Sequence, residues 1–73
     1  MMLVKVFGKV LTELRKNAGL SQEKLAELAG YDRTYISLLE RGLRQPTLTT
    51  IFNLSKALGL NPHIFIEMVE KSL

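Results

Sequence analysis

The chain has 73 residues, a net charge of +3 and no cysteine. That length suits one small domain, which buries only about 60% of its unfolded surface, and the missing cysteines exclude disulfides and thiolate-ligated metal as support. No apolar run approaches the ~20 residues that cross a bilayer, and the opening Met1-Met2-Leu3-Val4 is too short for a signal peptide.

Cysteine-free composition fits a reducing cytoplasm, and cytoplasmic localisation is the expectation. Oligomerisation is the remaining route to extra stability. Charge is unevenly spread. Residues 1–44 hold eight lysines and arginines against five acids, whereas residues 45–73 hold two of each. A positive excess confined to one segment is the footprint of a nucleic-acid binder.

The first predicted helix runs from about Val4 to Asn17. Val6, Phe7, Val10, Leu11 and Leu14 form its apolar stripe, and Gly19 ends it. Gly8 inside that helix costs roughly 1 kcal/mol relative to alanine; a close approach by another helix would account for it. Lys5, Lys9 and Lys16 lie towards the polar side, where they can meet phosphate or simply water.

Ser21 is a good N-cap for the second helix, and Glu23 adds negative charge to its first turn. Leu25, Ala26, Leu28 and Ala29 give it an apolar face, and Gly30 ends it. Asp32 is the next N-cap candidate, with a third helix from about Arg33 to Arg41 and Gly42 closing it. At ~100° per residue, Tyr35, Ile36 and Leu39 of this helix share one side. Arg33, Thr34, Ser37, Leu38 and Arg41 share the other. That outer set holds the groups that read base edges in a major groove: arginine for guanine, hydroxyls for several bases, an apolar side chain for a thymine methyl. Taken alone, the same pattern also fits an ordinary helix hairpin with a solvated face.

Leu43-Arg44-Gln45-Pro46 reads as a loop, since Pro46 biases Gln45 away from the helical region. Thr47 is a plausible cap for a fourth helix, from about Leu48 to Leu58, which Gly59 closes. Asn61-Pro62 starts a fifth, running to about Lys71. No stretch shows sustained apolar alternation. The expectation is an all-α fold, a five-helix bundle containing a helix-turn-helix, with residues 1–73 as a single DNA-binding domain. Its predicted core is Phe7, Val10, Leu14, Leu20, Leu25, Leu28, Ile36, Leu39, Leu48, Ile51, Leu54 and Leu58.

In the fifth helix, Ile64, Phe65, Met68 and Val69 cover about 140° of the wheel, and Ile66 lies further round. A small domain needs only one such stripe. The surplus marks these five residues as a candidate dimer interface. His63, alone at a helix start, reads as a surface residue rather than a metal ligand or catalyst. No phosphate-binding glycine loop or catalytic constellation stands out. No enzyme activity, metal, cofactor, small-molecule ligand or membrane partner is expected.

Gly19-Leu20-Ser21-Gln22, Leu25-Ala26, Ala29-Gly30, Ile36-Ser37 and Glu40-Arg41-Gly42 together resemble the helix-turn-helix of the phage-repressor-like and Cro-like transcription regulators (lambda-repressor-like domains). Asp32-Arg33-Thr34-Tyr35-Ile36-Ser37 with Glu40-Arg41 further resembles the controller proteins of restriction–modification systems. The resemblance covers residues 6–65. It implies a sequence-specific transcriptional regulator, a homodimer on a palindromic operator in double-stranded DNA. It also implies that Arg33, Thr34 and Ser37 read bases, with Leu38 as an apolar contact, while Gln22 binds phosphate. Tyr35 and Arg44 would reach phosphate or a groove edge, although Tyr35 also suits the edge of the core. An arginine at the place of Arg15 pairs in this family with the glutamate matching Glu40, and such regulators pair through the fifth-helix end. The alternative class is an antitoxin-like protein-interaction module of the same fold. Against it, no tail is expected beyond Leu73 to wrap a toxin.

Overall fold

The computed structural model describes residues 2–73 and holds five helices there: α1 (Met2–Asn17), α2 (Gln22–Ala29), α3 (Arg33–Glu40), α4 (Leu48–Leu58) and α5 (Pro62–Lys71). No strand occurs among the described residues, and no helix is long and apolar enough to cross a membrane. Local chemistry sets most boundaries. The Ser21 hydroxyl accepts the Lys24 N–H at 3.0 Å, and the Thr47 hydroxyl accepts that of Thr50 at 3.0 Å. Each satisfies a first-turn donor that the helix itself leaves unpaired. Gly30 ends α2 in the left-handed region at φ 80°, where the following Tyr31 N–H reaches back to Ala26 O at 2.8 Å. Asp32 and Asn61 take the extended N-cap backbone, but neither side chain makes a capping bond.

The core joins Phe7, Val10, Leu11, Leu25, Ala26, Ile36, Leu39, Leu54, Phe65 and Val69. α1 and α5 meet through Phe7 and Phe65, whose rings lie parallel with centroids 5.0 Å apart. Leu14, Leu20, Ile51 and Leu58 pack around this centre half-buried. Two residues of the predicted core are outside it. Leu28 is 51% exposed and Leu48 70% exposed. Leu28 lies only about 60° round its helix from buried Leu25, and Leu48 about 20° from buried Ser55. The wheel alone therefore does not separate them from the core; the placement of the neighbouring helices leaves both at its edge.

Gly8 is fully inside, where α1 crosses the end of α3. A Cβ on Gly8 would come within 2.6 Å of the Glu40 carbonyl oxygen and closer still to that of Leu39. The helix accepts the cost of glycine because two backbones touch there.

Candidate nucleic-acid interface

α3 is seated by Ile36 and Leu39, both fully buried against α1 and α2. This fixes what the helix turns outward. Arg33 and Thr34 at its start are exposed, while Ser37 and Leu38 on the next turn are half-buried. Arg41 is exposed just past the helix, its Nε 3.4 Å from the Ser37 carbonyl. Arg33 also borders an open groove of about 590 Å³ between the first turns of α2 and α3, with Gln22, Lys24 and Glu27 on its other wall. Beside it Lys24 and Glu27 pair on the surface at 2.9 Å.

Under that groove lies a nearly buried polar cluster. Arg15 of α1 grips Glu40 of α3 with Nε to Oε2 at 2.6 Å and Nη2 to Oε1 at 3.1 Å. Only 11% of the arginine side chain and 5% of the glutamate side chain are exposed. The guanidinium's remaining arm, Nη1, donates to Leu20 O at 2.9 Å. Gln22, the first residue of α2, donates its Nε2 to Glu40 Oε1 at 2.9 Å. Three helices and the turn between two of them are thus tied at one carboxylate. The side chain of Gln22 is accordingly not free over the surface. One amide N–H is committed to Glu40, and only the second N–H remains to donate to a phosphate.

Tyr35 occupies the edge of the core instead of the open face. Its ring lies 5.0 Å from that of Tyr31, tilted by 54°. Its hydroxyl is 3.0 Å from Thr50 Oγ1 on α4. Arg44, exposed in the loop after α3, holds its guanidinium carbon 5.7 Å from the Tyr35 ring centre, within cation–π range. Residues Arg33, Thr34, Ser37, Leu38, Tyr35 and Arg44 therefore belong to α3 and the loop that follows it, with Gln22 alongside. Thr50 was not foreseen from sequence. A threonine in a helix, here beside Thr49, carries no local sign that its hydroxyl will meet a tyrosine fifteen residues earlier.

α4 and α5 carry an apolar face. Of the five residues expected there, Ile64 and Ile66 are 38% and 44% exposed. Met68 is half-buried. Phe65 and Val69 point inward, 0% and 5% exposed, and belong to the core. The correction has a simple cause: α1 lies against α5, and Phe7 takes the Phe65 side of the helix. α4 supplies what α5 does not. Leu48 and Phe52, 70% and 54% exposed, stand one turn apart on its outward side. A cavity of about 160 Å³ bordered by Leu3, Pro46, Ile51 and Ile66 adjoins a shallower depression bordered by Leu48, Ile51, Phe52 and Ile66. The shared residues make one continuous surface. Placing Leu48 in the predicted core concealed it, whereas the i, i+4 spacing of Leu48 and Phe52 was the available signal.

A helix-turn-helix family model matches residues 11–65. The control protein C.BamHI of Bacillus amyloliquefaciens is 45% identical over 58 residues, 78% of this chain and 72% of that protein. The crystal structure of the restriction–modification controller protein C.AhdI from Aeromonas hydrophila superposes with a TM-score of 0.80 at 49% identity, covering 86% of this chain and 94% of that one. The controller protein C.Esp1396I, solved as a tetramer with its natural 35 base-pair operator, superposes with a TM-score of 0.91 at 33% identity, covering 99% and 95% of the two chains. The chain belongs to the helix-turn-helix family of transcriptional regulators, in the group that includes the control proteins of restriction–modification systems.

Proposed function

We propose that residues 1–73 act as one DNA-binding domain of a sequence-specific transcriptional regulator, working as a homodimer on a palindromic operator in the cytoplasm. The observation that carries this is the seating of α3: Ile36 and Leu39 lock one side into the core, and Arg33 and Thr34 stand clear on the other. A helix held that firmly offers its outer side chains to a major groove at little entropic cost. Arg33 presents a planar fork to guanine O6 and N7, Thr34 and Ser37 offer hydroxyls, and Leu38 an apolar contact. Gln22 and Arg44 flank them towards the phosphates. The controller protein C.Esp1396I, solved on its operator, supports the same reading for this chain, and control of restriction–modification genes is the biological setting it favours.

The apolar face formed by Leu48, Phe52 and Ile66 suits a second copy of the chain. Twofold pairing there presents two α3 helices to half-sites about one DNA turn apart. No cofactor, metal or catalytic chemistry enters this reading. Selection from a random duplex pool tests it. The expected product is an inverted repeat bound with at least a thousandfold preference over scrambled duplex at physiological salt, the lower end of what specific regulators achieve. A pool that never departs from random sequence overturns the reading in favour of a protein-interaction module.

A further inference from the structure

Three hydroxyls form a line from α4 to α3. Thr47 Oγ1 is 2.8 Å from Thr50 Oγ1, and Thr50 Oγ1 is 3.0 Å from Tyr35 Oη. Thr47 Oγ1 also accepts the Thr50 backbone N–H. Thr50 is 3% exposed, Thr47 is exposed and Tyr35 is half-buried at the edge of α3.

Three hydroxyls bring three protons, and two hydrogen bonds between them use two. If both ends donate to Thr50, its own proton is left over at a site 3% exposed. Otherwise the third is left at one end of the line, which then has two polarities. In one, Tyr35 donates to Thr50, Thr50 to Thr47, and the spare proton faces solvent from Thr47. In the other, Thr47 donates to Thr50, Thr50 to Tyr35, and the spare proton is on the phenol. An anion near the phenol selects the second polarity, because each donor in a hydrogen-bonded chain strengthens the next. The same contact fixes the Tyr35 ring on which Arg44 rests, so ring, guanidinium and phenolic proton are set together.

We propose that Thr50 is a positioning residue for DNA binding: by holding the Tyr35 hydroxyl it keeps the ring under Arg44 and turns the phenolic proton towards a backbone phosphate. The inference rests on α3 facing DNA. Thr50 itself, buried beneath Tyr35, touches no DNA.

The test uses the full chain and the duplex selected by the wild-type protein, with Thr50→Val, Thr50→Ser, Tyr35→Phe and the Thr50→Val/Tyr35→Phe double variant. Valine keeps the shape of threonine and deletes the hydroxyl. Operator affinity, thermal unfolding and sedimentation are measured for each. Thr50→Val is expected to weaken operator binding about three- to tenfold, the worth of one hydrogen bond, with the dimer unchanged. Thr50→Ser is expected to restore it. Tyr35→Phe is expected to weaken binding similarly, and adding Thr50→Val to it to cost nothing more. Thr50→Val at wild-type affinity overturns the inference, as does a loss of equal size with and without the Tyr35 hydroxyl. If Thr50→Val does not fold, Tyr35→Phe decides, and wild-type affinity there overturns it. A wild-type protein that selects no duplex defeats the DNA reading itself. One that does, with a neutral Thr50→Val, defeats only the positioning role.

Discussion

Arg15 and Glu40 stand twenty-five residues apart and join through two hydrogen bonds, Nε to Oε2 at 2.6 Å and Nη2 to Oε1 at 3.1 Å. The pairing is bidentate, and both side chains are almost out of water. Mutual attraction in such a site roughly offsets desolvation, so the pair adds little net stability, but a lone survivor is costly. Arg15→Ala or Glu40→Ala alone is expected to destabilise by ~3–5 kcal/mol. The double variant should lose much less than the sum of the two. Denaturant titration of the three variants measures the coupling; additive losses below ~1 kcal/mol would mean a surface pair.

Arg33 and Gln22 should differ in kind. Arg33→Ala is expected to lower operator affinity by ~1–3 kcal/mol per half-site and relax base preference. Gln22→Ala should weaken operator and scrambled duplex alike and hardly alter the salt slope, which counts neutralised phosphates. Because Gln22 also bonds Glu40, its removal should cost ~1 kcal/mol of fold stability, visible in the denaturant midpoint. Anisotropy titrations at several salt concentrations separate the two residues. Equal losses on both duplexes for Arg33→Ala would reassign it as a phosphate anchor.

Phe52 and Phe65 should separate assembly from folding. Phe52 is 54% exposed and Phe65 0%. Phe52→Glu or Ile66→Glu is expected to give a folded monomer by sedimentation equilibrium at micromolar concentration. Phe65→Ala is expected to cost ~3–5 kcal/mol of stability through cavity formation. A wild-type protein that sediments as a monomer would remove the dimer from the reading.

Gly8 reverses the usual rule for helix glycines. Gly→Ala inside a helix ordinarily stabilises by about 1 kcal/mol. At Gly8 the added methyl meets two carbonyl oxygens of α3, which are backbone and cannot rotate aside. Gly8→Ala is therefore expected to lower the melting temperature, with a cost of ~1–3 kcal/mol typical of overpacking. A melting temperature at or above wild type would show that α1 and α3 separate easily.

Helix limits and the outer face of α3 were legible because they depend on neighbours in sequence. Ser21 and Thr47 cap where a hydroxyl precedes a helical run, and the 3.6-residue period sorts Ile36 and Leu39 from Arg33 and Thr34. At position 8 the sequence showed only a costly helix glycine that a close helix would account for; that glycine is required, and which backbone approaches it, comes from the packing of α1 on α3. Contacts made in three dimensions were not. Periodicity gave α5 a broad apolar side but could not divide it into Phe65 and Val69 for the core and Ile64 and Ile66 for the surface, since the position of α1 decides that. Leu48 looked like core for the same reason. Gln22 carried no sign that its amide would turn to Glu40, eighteen residues on.

α5 faces two ways: Phe65 and Val69 complete the core, while Ile64 and Ile66 look out. On the dimer reading one ten-residue helix serves folding and assembly at once, so the two equilibria are linked. Mass action then makes the melting temperature rise with protein concentration. Below the dimerisation constant, operator occupancy climbs with roughly the square of the chain concentration. A newly arrived gene copy would therefore pass through a quiet interval, its product too dilute to grip the operator, before regulation sets in steeply.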